Sequence, residues 1–155
     1  MGLDITAYRK LTPDAGAEVD AEGYPADWQT HVRFGASMDW SEGEWPGRAA
    51  PLSSSTLYTW AESFGFRAGS YSGYNQWRAA LSEIGEPGDF LELIEFADNE
   101  GVIGPIVSAK LAGDFQRNAA AAAQVPHWQG WFASQYALWQ RAFEMAADGG
   151  AVNFH

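Results

Sequence analysis

The chain has 155 residues, no cysteine, and 20 acidic against 9 basic side chains, for a net charge of −11. The missing thiols exclude disulfides, thiolate metal sites and a cysteine nucleophile, and the acidity disfavours nucleic acid as a direct partner. The length suits a single domain over 1–155 with one sizeable core.

MGLDITAYRK carries Asp4 and no long apolar run, so it does not read as a signal peptide. No stretch approaches the ~20 apolar residues of a membrane span, so no membrane partner is expected. Leu3 to Leu11 alternates and is β-prone, with Leu3, Ile5 and Ala7 on one face, and predicts a first strand broken at Thr12-Pro13. Residues 14–55 are the least regular. His31–Phe34 predicts a short strand, and Met38–Pro51 reads as a long loop pinned by Trp40 and Trp45.

Ser55–Phe66 alternates again and predicts a strand, bulged near Gly65. Arg67–Gly73 reads as a loop, and Asn75 caps a helix that ends at Gly85 and buries Trp77, Ala80, Leu81 and Ile84. Asp89 caps a predicted helix that runs to about Gly101. Asp98–Pro105 is a turn, and Pro105 starts a further helix with the stripe Ile106, Val107, Leu111 and Phe115. Ala119–Ala123 extends it or frays. Pro126 opens a last helix that carries Trp128, Trp131, Phe132, Tyr136, Trp139, Phe143 and Met145 at helical spacing. Ala151–Phe154 predicts a closing strand. Strands come first and helices second, without βαβ alternation, so the fold class is α+β: N-terminal antiparallel strands and a long loop, then a helical half.

No catalytic residue stands out. His31, His127 and His155 lie far apart and outside any metal-ligand spacing. Asp98, Glu100 and Asp114 are carboxylates among many, so no metal site and no cofactor are expected. Ser70 and Ser72 have no recognisable base and no nucleophile elbow.

The informative stretch is SFGFRAGSYSGYNQWR, Ser63–Arg78. Two glycines, two hydroxyls, two phenols and a guanidinium fall within nine residues and feed a helix N-terminus, where free N–H groups and the helix dipole favour an anion. Arg67 suits a phosphate or carboxylate. Ser70, Tyr71, Ser72, Tyr74 and Asn75 complete one wall, and Arg78 follows one turn later. Glu100 and Gly101 form a candidate second wall. Lys110, and Tyr8 and Arg9 on the first strand, are candidate contributors. The same glycines and Asn75 also suit a plain strand-to-helix turn.

Four segments resemble a family of small uncharacterised proteins of tailed phages and prophages. Those proteins begin MGLDITAY with a basic residue next and carry strings like FGFRAGSYSGYNxWR, EGVIGPxVSAKLAxDF and FxxAADGGAVxFH. Here the strings are Met1–Arg9, Phe64–Arg78, Glu100–Phe115 and Phe143–His155. The resemblance implies a counter-defence protein in the cytoplasm of an infected bacterium. Its expected partner is a small anionic, nucleotide-like ligand that it sequesters without turnover, and a homo-oligomer is expected. Two alternatives stand beside this: an acidic protein–protein inhibitor or DNA mimic, and an enzyme acting on a nucleotide.

Overall fold

A computed structural model describes residues 1–126 and 130–155. Among them, four strands form one antiparallel sheet in the order β4 (Glu62–Ser70), β1 (Gly2–Arg9), β6 (Ala151–Phe154), β5 (Gly101–Ile103). A two-residue ribbon pairs β2 (Thr12–Pro13) with β3 (Tyr58–Thr59). The helices are α1 (Gly35–Glu44), α2 (Tyr71–Leu81), α3 (Leu91–Ile94), α4 (Pro105–Arg117), α5 (Ala119–Ala123) and α6 (Trp131–Ala146). The class is α+β, as the order of strand and helix patterns predicts. Predicted features at His127 and Trp128 lie outside the described residues.

Strand periodicity sorts side chains onto two faces. Leu3, Ile5, Ala7, Ile103, Val152 and Phe154 join the large core with α2, α4 and α6. Their neighbours Tyr8, Val102 and Ala151 join a smaller cluster with Phe34, Met38 and Tyr58 on the other face. The second face is therefore covered over β5, β6 and the end of β1, while β4 exposes Ser63, Gly65 and Arg67. The large core is built on stacked rings: Trp77 lies 5.8 Å from Trp139 at 18°, and Tyr74 lies 5.5 Å from Trp139 at 26°. Trp77 Nε1 donates to the Phe132 carbonyl, so the buried indole keeps a partner.

Several predicted boundaries are corrected. Arg67–Gly73 is not a loop. The β1–β4 ladder runs on to Leu3↔Gly69 and Gly2↔Ser70 after a register shift at Leu3/Asp4, and α2 begins at the next residue. Gly69 makes this possible at φ +118, a conformation that costs glycine little. Ser70, rather than Asn75, caps the helix, its Oγ accepting from the Gly73 N–H at 3.1 Å.

Met38–Pro51 is not all loop either, since α1 occupies Gly35–Glu44 despite Gly43 and weak helix formers. Tertiary contacts override propensity here: Met38 and Ser41 are buried, and Glu42 accepts from the Gly47 and Ala49 N–H groups. The predicted strand at His31–Phe34 is a single bridge, Val32↔Tyr58. His31 ties this region down, meeting Asp14 Oδ2 and the Thr30 hydroxyl at 2.8 Å each.

The helix predicted from Asp89 to Gly101 shrinks to the single turn α3, preceded by Phe90 at φ +61. The turn predicted over Asp98–Pro105 contains β5, which pairs with β6. Ile106, predicted on the α4 stripe, is 63% exposed, and Ser108 and Asp114 are buried on that helix instead.

Candidate ligand-binding site

Topology decides where a site can form. Because β6 inserts between β1 and β5, the end of β6, the start of β5 and the first residue of α2 meet at one end of the sheet. An open cavity of about 360 Å³ lies there, lined by Arg33, Phe34, Ser37, Tyr71, Asn99, Glu100, Asn153, Phe154 and His155. That volume is at the small end of ordinary ligand pockets.

The start of α1 forms one wall. Its N-terminus has no side-chain cap and no acid in its first turn, so its dipole is not offset locally. Arg33 precedes it. Its Nη1 donates to the Glu22 carbonyl at 3.1 Å, and its guanidinium lies 4.7 Å from the Tyr24 ring centre. Arg33 Nε and Ser37 Oγ are buried without a hydrogen-bond partner among the described residues. Each such group costs about 1–3 kcal/mol, and a small side-chain turn toward a ligand oxygen would relieve it. Arg33 also forms no ion pair among the described residues. Arg9, Lys10, Arg67, Lys110 and Arg117 are matched with carboxylates; Arg48, Arg78 and Arg141, like Arg33, have no such match among the described residues, and of these four Arg33 is the one that lines the cavity.

The opposite wall is Asn99, Glu100 and the end of β6. Gly101, behind Glu100, has φ +132, and a Cβ there would lie 2.8 Å from Phe96 and Ser41 side-chain atoms. His155 is docked by backbone bonds in both directions with Asp4, and its Nε2 sits 2.9 Å from Thr6 Oγ1.

Of the twelve residues singled out from the sequence, the structure brings Tyr71 and Glu100 to this cavity, with Gly101 adjoining. Tyr71 is half-buried and leans on the large core. The others are placed elsewhere. Arg67 pairs with Asp4 at 2.8 Å on the strand surface. Ser70 caps α2, and Ser72 Oγ lies 3.2 Å from Ser70 Oγ. Tyr74 is fully buried, and burial pushes its hydroxyl above the usual phenol range, an effect that nearby Arg78 only partly offsets.

Asn75 donates to Asp98 Oδ2 at 2.8 Å. Arg78 Nη1 donates to the Leu93, Ile94 and Phe96 carbonyls, and its Nη2 to Asn75 Oδ1. These residues form a clamp that closes the C-terminus of α3 and sets the position of Asn99 and Glu100. Tyr8 is buried between Phe34 and Trp60, and burial raises its pKa. Arg9 bridges Glu62 and Asp148.

Lys110 belongs to a polar knot away from the cavity. Its Nζ meets Glu92 and buried Asp114 at 2.7 Å each, and Asp114 also accepts from the Phe90 N–H at 3.0 Å. In the same knot, hydrogen bonds from Asn118 and the Glu86 N–H, with Arg117 beside them, hold the Asp89 carboxyl down to about 2. A depressed folded-state pKa means that this contribution is complete above the unfolded value near 3.9 and is lost as pH falls toward about 2. Thermal melts between pH 5 and pH 2 should show that loss, and Asp89→Asn should be less stable at pH 7 yet flatter across the acid range. Parallel acid limbs would overturn the assignment.

Arg33, Ser37, Asn153 and His155 escape sequence reasoning, whereas Asn99 falls in the predicted Asp98–Pro105 turn beside Glu100. Arg33 sits in an irregular stretch, and His155 lacks any partner at ligand spacing, so only the β6 insertion assembles them. No group of three or more metal-ligating side chains occurs among the described residues, and no helix there is long and apolar enough to cross a membrane. No protein-family model, curated protein or solved structure matches this chain.

Proposed function

We propose that this protein binds a small phosphorylated ligand of nucleotide size in the cavity at the end of the sheet, and withdraws it without turnover. The observation that carries this is Arg33. It is a guanidinium without a carboxylate partner among the described residues, at the mouth of an uncapped helix N-terminus, inside a strongly acidic chain. Phosphate is the group that such a corner suits. Tyr71, Asn99 and Asn153 supply a ring and amides for the remainder of the ligand. The setting that fits this chemistry is the one the phage resemblance implies: capture of a nucleotide signal of a bacterial defence system.

Calorimetric titration of nucleoside monophosphates tests the reading. Arg33→Met keeps the aliphatic stem and should weaken binding about 10- to 100-fold, the loss of one charge-assisted contact. Ligand recovered intact from the complex separates capture from turnover. Unchanged affinity in Arg33→Met would remove the phosphate from this corner.

A further inference from the structure

The cavity holds a second unpaired charge. Among the described residues, the Glu100 carboxylate makes no ion pair or hydrogen bond, although it lines the same cavity as Arg33. The side chain is exposed, and the chain on either side of it is held in place. Asp98, two residues before it, is held by Asn75 at 2.8 Å, and buried Gly101 after it pairs with Phe154 of β6. A carboxylate that lines a site for an anion repels the ligand unless the ligand presents hydrogen-bond donors to it.

This rests on the reading under Proposed function and sharpens it. We propose that the ligand's base is guanine, and that Glu100 is the residue that selects it. An ionised glutamate is acceptor-only, with two oxygens side by side. Guanine alone among the common bases presents two adjacent donors, N1–H and the N2 amino group, that match them. Adenine and cytosine set an acceptor nitrogen beside their amino group, and uracil flanks its one N–H with two carbonyls. Each of those bases brings a lone pair against the carboxylate. The Asn99 and Asn153 amides line the same cavity, and neither side chain has another partner among the described residues, so both are available to donate to guanine O6 or N7. The ligand would then span the cavity, phosphate toward Arg33 and base toward Glu100.

Binding of GMP, AMP and ribose 5-phosphate to the wild-type chain and to Glu100→Gln tests this. GMP should bind about 10- to 100-fold more tightly than AMP, the discrimination expected of one bidentate contact. Glu100→Gln should bring that ratio close to one and leave ribose 5-phosphate at least as tightly bound as before. Equal affinity for GMP and AMP in the wild type, or a ratio that survives Glu100→Gln, overturns the guanine assignment while ribose 5-phosphate binding still upholds the phosphate corner. If none of the three binds the wild-type chain, the phosphate corner fails and the guanine assignment fails with it.

Discussion

Gly150→Ala is expected to cost more than about 4 kcal/mol, the range reached only by outright steric conflict or a broken core. Gly150 lies between α6 and β6, directly before Ala151. A Cβ on it would lie 1.7 Å from the Tyr8 carbonyl oxygen and 3.2 Å from the Ala146 Cα. Backbone stands on both sides, so no side chain can swing away. Relief requires prising β6 from β1 at the Tyr8↔Ala151 pair, which opens the middle of the sheet. The melting temperature should fall by about 10 °C or more. Gly43→Ala is the matched control. It lies within α1, and a Cβ there meets nothing within 4 Å, so alanine should gain roughly 0.5–1 kcal/mol. A Gly150→Ala protein that melts with the parent would mean that β6 does not run beside β1 as described.

Arg78→Ala carries the second large effect. One guanidinium satisfies three carbonyls at the end of α3 and the Asn75 amide oxygen, and covers the face of Tyr74 at 4.7 Å. Removing it leaves the half-buried Ile94 and Phe96 carbonyls without a donor, while Leu93 keeps the Phe96 N–H at 3.2 Å, and bonds from a charged donor contribute about 1.5–3 kcal/mol each, not additively. The expected loss is about 3–4 kcal/mol, measured by urea denaturation. Arg78→Lys should recover only part, because one ammonium cannot reproduce the planar fork. Hydrogen exchange over Glu95–Glu100 should quicken in both variants, since Asn75 and Asp98 lose their anchor. A protein with Arg78→Ala that unfolds like the parent would return Arg78 to the list of candidate ligand residues.

These two sites show what the sequence carries and what it hides. Periodicity marks Leu3, Ile5 and Ala7 as one buried face, and the three are essentially unexposed. It marks Trp77, Leu81, Trp139 and Phe143 as core, and these are buried as well. The order of strands before helices is enough for the α+β class. The loop-like composition of Arg67–Gly73 misleads, because Gly and Ser there serve a strand that runs straight into a helix: Gly69 supplies the left-handed backbone and Ser70 the cap.

The site is less legible for a related reason. Tyr71 and Glu100 stand out through their neighbours in sequence, but Arg33 and Asn153 gain their role only from strand order. The β6 insertion couples residues 99–101 to 153–155, and that pairing is non-local. Arg78 and Lys110 are cations whose partners, backbone carbonyls in one case and buried Asp114 in the other, become visible only after folding.

Titration of the ¹⁵N-labelled protein with GMP, followed by amide chemical shifts, tests the central claim most directly. Shifts should concentrate at 33–38, 71–73, 99–101 and 153–155, the segments around the cavity. Shifts centred elsewhere, such as at Pro13–Val19 beside the cavity lined by Asp14 and Leu57, or no shifts at millimolar nucleotide, would contradict it.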